Sequence, residues 1–441
     1  MRGSGSSSDV LKKVQWPAAV AWAAVLCAVL FAQTYVRAQR PNGIDLTSYL
    51  QSADVLRHGG SPYVLPTPFP YLYPATLALL LIPLTFVPAT VAVIVWFALS
   101  VAAAVWSIRT VVLSARPDLE ARSADLALLL AVFFTCFFTV AQSNLRNGQV
   151  NFIVLALCVS AGLLFSTGAG APRAPQRGCR VGDPAMSARA VADASRQTAR
   201  HDTPARLPRW GPRHGRRHSL IDLPALSWSM AVAMKIVPLA LLPYFMLRRS
   251  WRWMLVSVAL IAAWCLLPAV VVGTRIVDIY EQYWRVFLAT SVAPRVQPLD
   301  FSLAGTIAWI TGAPLTPVLE VSGAAVVLGW IIAVDGRRLR VETVRPLALY
   351  LLAIPLVSPQ SEVHHLAFML PAAAIVAGAL WWDWGRVGRR QQISAAIAAT
   401  LYLAATATPI ATGPLFCASL IAFGVALMNV SPPGRLRLKS L

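Results

Sequence analysis

Continuous apolar runs of bilayer-crossing length, separated by short turns rich in arginine, leave this chain few ways to fold. Clear examples run from Val14 to Val36, from 252 to 273 and from 315 to 334, and about 20 apolar residues suffice for a helix to cross hydrocarbon. Inside lipid each backbone N–H and C=O must be paired within the protein, so only helices and closed barrels span it. The runs are continuous rather than alternating, which excludes a barrel. The chain is 57% hydrophobic and 13% charged, whereas soluble domains are roughly 45–50% apolar and about 25% charged. An all-α polytopic membrane protein is the fold class these features predict.

The net charge of +20 does not point to a nucleic-acid partner. Eleven Arg and three Asp fall in the single segment 167–218, and most other basic residues lie in turns between spans. That is the positive-inside pattern, with membrane lipids as the partner of the basic turns. The segment 167–218 lacks hydrophobic periodicity and is predicted to be a disordered cytoplasmic loop. Six Cys are scattered without CxxC or zinc-ligand spacing, so they read as packing residues and no metal site is assigned. The first apolar run is too long for a signal-peptide core and is expected to remain as an anchor.

Placing the basic clusters in the cytoplasm threads the chain consistently. Residues 1–13 form a cytoplasmic N-terminus, 14–166 a first half of the bundle with an outer loop at 37–70, and 219–430 the remaining bundle with a second outer loop at 274–314. The tail 431–441 is cytoplasmic. Within this path 71–87 reads as a helix lying at the outer membrane edge, and 89–108 returns. The spans 125–142 and 149–166 form a hairpin about the outer turn NLRNGQVN, and two short helices, 220–234 and 236–247, are broken at Lys235 and Pro238. Spans at 366–382, 393–408 and 413–430 end the bundle. The alternative makes 71–87 a true crossing, which sends the basic loop to the opposite side and violates the charge rule.

A small set of polar groups gathers on the outer side of this topology. Asp45 is a carboxylate just beyond the first span; a partly buried carboxylate can serve as a general base, and a helix-capping Asp is the equally weighted alternative. Lys235 is the one Lys of four inside an apolar segment. It could hold a phosphate charge or snorkel to the interface; the helix break beside it favours a binding role. His364 and His365 could donate to phosphate or move a proton, with one of the pair free to be structural because adjacent residues point in different directions. Gln149 and Asn151 carry amides suited to sugar hydroxyls, or cap a turn. Aromatic residues of the outer loops, Tyr63 among them, could stack on a sugar or belong to an interfacial belt.

The ordered motifs DLTSYLQSADVLRHGGSPY (45–63), PYLYPATLALLLIPLTFVP (70–88), NGQVNFIVLAL (147–157), MKIVPLALLPYFMLRRSWR (234–252), DFSLAG (300–305) and SPQSEVHH (358–365) together resemble glycosyltransferase family 87, a branch of the GT-C superfamily. That family includes mycobacterial polyprenyl-phosphomannose-dependent mannosyltransferases and arabinofuranosyltransferases. The resemblance implies a GT-C-type bundle with juxtamembrane helices at the outer edge; the charge-based threading gives it about 12 transmembrane helices. It implies a multi-pass protein of the bacterial plasma membrane with its site on the extracytoplasmic side. It further implies a polyprenyl-phosphate sugar donor, most simply mannose, and a lipid or glycan acceptor. Asp45 matches the acidic general base after the first span, Lys235 the Lys of the broken segment, and His364/His365 the late His motif. Arg57 would join Lys235 and the His pair at the donor phosphate, while Gln149, Asn151, Tyr63 and Glu362 would contact sugar or acceptor. No cofactor is implied. The chain departs from the family where Tyr73-Pro74-Ala75 replaces a TyrProPro sequence and Lys235-Ile236-Val237-Pro238 replaces a LysPro pair. A transporter or lipid flippase is the competing class, because many spans and a broken helix suit that role as well.

Overall fold

Apolar runs without interior charge become helices, and among the described residues there is no strand. The computed structural model describes residues 7–40, 43–64, 70–168, 222–292, 300–339, 342–359, 361–383, 387–408 and 412–430. The expectations of disorder across 167–218 and of a cytoplasmic tail at 431–441 lie outside these residues, apart from 167 and 168.

In chain order, α1 (Ser7–Ala38) leads to α2 (Asp45–Arg57), and α3 (Ala75–Leu81) runs on through a 3-10 turn, Ile82–Phe86. Next come α4 (Ala89–Ala115), α5 (Ser123–Cys136), α6 (Phe138–Arg146) and α7 (Asn151–Gly168). The second half begins with α8 (Leu223–Met234), a 3-10 turn at Val237–Leu241, α9 (Leu242–Arg248) and α10 (Trp251–Leu266). Then follow α11 (Ile276–Phe287), α12 (Leu303–Thr311), α13 (Pro317–Val334) and α14 (Val344–Val357). A 3-10 segment, Val363–Met369, opens α15 (Leu370–Asp383), before α16 (Arg389–Ala407) and α17 (Thr412–Asn429) close the chain.

Among the described residues six helical runs are long and apolar enough to cross a bilayer, or seven if the bent pair α5–α6 counts as one span. Five shorter apolar helices join them, at Ala75–Phe86, Asn151–Leu163, Leu223–Met234, Val237–Arg248 and Val344–Val357. Length and apolarity thus support six or seven crossings of the dozen expected from the charge pattern. Large apolar side chains such as Trp22, Val25, Ile94, Leu99, Leu255, Val258, Val318 and Val321 are exposed along these helices, the inverse of a soluble fold and the surface that lipid covers. The centre belongs to α14, where every residue from Leu347 to Leu356 is buried; a helix apolar all round requires such a place.

Three departures from the expected threading bear on the site. The span expected at 125–142 is bent by 75° between α5 and α6. Phe137 leaves helical geometry there (φ −102°, ψ 28°), and the turn carries Gln142 and Asn144 out of an apolar run into polar contacts within the protein. The stretch Ala75–Phe86 is helical but short: its seven α and five 3-10 residues rise about 20 Å, less than the ~30 Å hydrocarbon core. The second expected loop, 274–314, contains α11 and α12. Here α11 is amphipathic, burying Ile276, Ile279 and Tyr283 and exposing Val277 and Trp284.

Away from these helix junctions, at the far end of α9, Arg248 grips Asp335 in a two-pronged ion pair at 2.5 and 2.6 Å. The Asp335 side chain is 1% exposed, so the pair must be complete for burial to be tolerable.

Candidate active site

Four helix junctions that are distant in sequence meet around one cavity of about 410 Å³, within the ~300–1,000 Å³ range of small-molecule sites. Its walls include Asp45 at the start of α2, Gln149 ahead of α7, Lys235 in the break after α8, and Glu362, His364 and His365 ahead of α15. These are six of the nine residues that the sequence singles out. Arg37, Tyr73 and Asn147 add polar lining, and Pro70, Leu72, Ile236, Val237 and Phe287 add an apolar side.

Close backbone approach fixes the first carboxylate. Asp45 donates its backbone N–H to the Asn147 carbonyl at 2.9 Å. Next to this contact Gly148 has φ +66°, and a Cβ there would lie 2.8 Å from Leu46 Cβ and 3.0 Å from Ile44 Cδ1. Only glycine meets both demands. Its carbonyl accepts the Trp96 indole N–H at 2.9 Å. The neighbouring Gln149 side chain donates from Nε2 to Asp45 Oδ2. Its Oε1 accepts the Tyr73 hydroxyl at 3.1 Å, and the Tyr49 hydroxyl donates to Tyr73 at 2.8 Å. With Oε1 occupied by a hydroxyl, the amide N–H must face the carboxylate. Burial, followed by the charge of Glu362, pushes the Asp45 carboxyl up, to about 6 when a charged Lys235 opposes the rise together with the Gln149 hydrogen bond and Arg37. Burial holds the Tyr73 phenol protonated, well above its ordinary range.

The second wall is a polar chain running inward. Asn144 Nδ2 donates to the Val140 and His364 carbonyls, each at 2.9 Å. Asn151 Nδ2 donates to Asn144 Oδ1 and to the same His364 carbonyl, each at 3.1 Å. Lys235 Nζ lies 2.7 Å from Asn151 Oδ1 and 3.0 Å from His365 Nε2. His365 Nδ1 accepts the Glu362 backbone N–H at 3.1 Å, and the Glu362 carboxylate stands 3.5 Å from His364 Nδ1. Both imidazoles line the cavity from the 3-10 turn that opens α15.

A strap holds this segment in place. Asp300, 2% exposed, accepts the backbone N–H groups of Ser302 (2.9 Å) and Ser361 (3.2 Å) on Oδ1. Phe301 donates its own N–H to the Ser361 carbonyl at 3.3 Å. The DFSLAG motif therefore positions the turn that bears Glu362, His364 and His365.

Three sequence candidates stand off the cavity wall. Arg57 donates to Asp54 at 2.6 Å and lies over the Phe86 ring at 4.7 Å, and it does not line the cavity. The guanidinium present is that of Arg37, at the end of α1. Tyr63 donates to the Tyr73 carbonyl at 2.8 Å and packs on Tyr71 and Tyr283, bracing Tyr73 from behind. Asn151 is wholly buried and reaches the cavity only through Lys235. Sequence reasoning missed Arg37, Tyr73, Asn144 and Asp300. The dense amide turn NLRNGQVN and the acid opening DFSLAG were the available signals for the last two. Among the described residues no three His, Cys, Asp or Glu side chains gather in a metal-binding arrangement.

A polytopic helical membrane protein whose helix junctions enclose a carboxylate, an amine and two imidazoles is the class that fold and site define. The model of glycosyltransferase family 87 matches residues 71–182 and 209–359, and the chain belongs to that family. The protein is accordingly a membrane glycosyltransferase. The matched ranges contain Tyr73, Gln149, Asn151 and Lys235, while Asp45 and the Glu362–His365 turn lie outside them. Neither the curated proteins nor the solved structures contain a match to this chain.

Proposed function

We propose that the protein transfers a sugar, most simply mannose, from a polyprenyl-phosphate donor to a hydroxyl of a lipid or glycan acceptor, with inversion, on the extracytoplasmic face of a bacterial plasma membrane. The observation that carries this reading is the single cavity in which a carboxylate of raised pKa faces an amine and two imidazoles, with an apolar side adjoining. A phosphate-linked sugar needs just these groups: a base for the incoming hydroxyl, donors for the departing phosphate, and an apolar wall for the first isoprene units.

In this mechanism Asp45 takes the proton of the acceptor hydroxyl. The oxygen attacks the anomeric carbon from the side opposite the phosphate. The bond between that carbon and the phosphate oxygen breaks, and its electron pair leaves with the polyprenyl phosphate. Lys235, Arg37 and His364 would offset the growing phosphate charge. Gln149 orients Asp45, and Tyr73 and Glu362 are placed to meet sugar or acceptor hydroxyls.

The test is incubation of radiolabelled polyprenyl-phosphomannose with membranes containing or lacking the protein, run beside the arabinofuranosyl donor. Label should pass to an extractable acceptor only when the protein is present. Asp45→Asn should lower transfer by about 10²- to 10⁴-fold, the usual share of a general base, with the melting temperature unchanged. Near-normal turnover in that variant would reject Asp45 as the base.

A further inference from the structure

We infer that Lys235 is an uncharged amine in the empty site and becomes a phosphate-binding ammonium only by taking up a proton when an anionic ligand arrives. The inference rests on the proposed donor for the identity of the anion, but not for the state of the amine.

The argument runs inward from groups that can play only one role. Both partners of Asn144 Nδ2 are carbonyls, so that amide can be oriented only one way, with Oδ1 accepting. Asn151 Nδ2 fills that acceptor and the His364 carbonyl, which turns Asn151 Oδ1 toward Lys235. Nζ must therefore donate one N–H to it, at 2.7 Å. From the other end, a backbone N–H can only donate, so the Glu362 N–H directed at His365 Nδ1 at 3.1 Å requires a lone pair on Nδ1. A neutral ring then carries its proton on Nε2. That N–H faces Nζ at 3.0 Å. An ammonium has three N–H groups and no acceptor, so it would present hydrogen against hydrogen. A free amine has the lone pair that this contact needs. The network closes only as Nε2–H to the Nζ lone pair and Nζ–H to Asn151 Oδ1.

Acids and bases from several elements surround the amine. Asp45 on α2, Arg37 on α1, Glu362 and His364 before α15, and Tyr73 before α3 all line the same cavity. Burial disfavours a charge on Nζ more than Asp45 and Glu362 favour it. The Tyr73 ring, 5.4 Å from Nζ, can accept a weak N–H contact from an amine.

Proton uptake has a mechanical consequence. Amine plus proton plus anion gives ammonium paired with anion, so one proton leaves solution for each ligand bound. The lone pair is consumed, and the contact with His365 must break. The ammonium then turns from His365 toward the cavity while keeping Asn151. The released Nε2–H becomes a second donor to the same phosphate. His365 is thus a positioning residue for the amine in the empty site and a phosphate donor in the filled one.

Two measurements on the full-length protein in detergent separate the amine's state from the ligand's identity. The first is reductive methylation followed by mass spectrometry across pH. The other three lysines, Lys12, Lys13 and Lys439, serve as internal references; an unperturbed lysine half-reacts near pH ~10.4. Lys235 should reach half its own maximal rate roughly three pH units or more below that value. A midpoint shared with the references, or no reaction below theirs, overturns the inference whatever the substrate is. The second is calorimetric titration at pH 8 with a short-chain polyprenyl phosphomannose, in two buffers of different ionisation heat. The phosphodiester does not titrate near that pH. About one proton should be taken up per donor bound, and none in Lys235→Arg, because guanidinium stays charged. Uptake that is absent from the wild type, or that persists in Lys235→Arg, overturns the coupling. Failure of the donor to bind, beside a lowered methylation midpoint, would instead sink the donor assignment alone.

Discussion

Gly148 is where the geometry makes its sharpest demand, and Gly148→Ala tests it against a matched control. Both Gly148 and Gly59 occupy positive φ, at +66° and +76°. Any L-residue placed at either one therefore bears the left-handed penalty of about 1–2 kcal/mol. The two differ in what a new methyl group would meet. At Gly59 there is nothing within 4 Å, whereas at Gly148 the Cβ would lie 2.8 Å from Leu46 Cβ, 3.0 Å from Ile44 Cδ1 and 3.2 Å from the Leu46 nitrogen. Relieving that overlap costs about 1–3 kcal/mol more. The backbone that the new methyl group would press on is the start of α2, which carries Asp45. A displacement approaching 1 Å at a reacting group costs on the order of 10²-fold in rate. Gly148→Ala should therefore melt below Gly59→Ala in detergent and lose roughly two decades of transfer activity, while Gly59→Ala keeps its turnover. If the two variants lose stability and activity equally, the close approach of α2 to the 147–149 turn is not what positions the base.

Other expectations follow from the same geometry. Asp45 must be ionised to accept a proton, so kcat/KM should fall as pH drops through about 6. Gln149→Leu removes a hydrogen bond that favours the charged form and should move that limb to higher pH; a limb that stays fixed or moves down would refute the pairing. Arg57→Ala should leave transfer unchanged and lower stability by about 1 kcal/mol, as for a half-buried ion pair packed on a ring, which purified-variant kinetics and melting curves would check. Asp300→Ala strips two buried backbone N–H groups of their acceptor, at about 1–3 kcal/mol each. Assayed well below its melting temperature it should still show a raised KM for donor, whereas Asp300→Asn, which keeps an oxygen, should recover most of it. An Asp300→Ala enzyme with normal KM would reduce the strap to a stability element.

Much of this architecture is readable before any coordinates. Apolar runs between arginine-rich turns announce helices, because lipid permits little else. Asp45, Gln149, Lys235 and the His pair stand out because a polar group beside an apolar run is costly to retain. What sequence cannot reveal is which way a residue faces at a helix end. Arg37 and Arg57 both sit at helix C-termini, and only the packing of Arg57 on Phe86 shows that it turns away. Nor does an apolar run announce its own break. The bend after Cys136 depends on where Gln142 and Asn144 find partners, and those partners, Gln33 and the His364 carbonyl, are distant in the chain. Asp300 looks like an ordinary loop acid until Ser361 is seen beside it.

The way the site is tied down also bears on why its chemistry is a transfer completed in place. A carrier presents its ligand alternately to two sides, so the elements flanking its site must exchange one set of contacts for another. Here the flanking elements are joined by bonds with fixed partners. The start of α2 is held to the Asn147 carbonyl, and the turn before α7 to Trp96. The turn before α15 is bound to Asn144, Asn151 and Asp300. Separating these elements would expose buried backbone groups at about 1–3 kcal/mol apiece, with no alternative partners in view. The group free to change its bonding is the Lys235 amine, whose hydrogen bond to His365 lasts only while it is uncharged. Rigidity in the walls and mobility in one side chain suit a reaction in which charge moves from the sugar to the phosphate while the framework stands still.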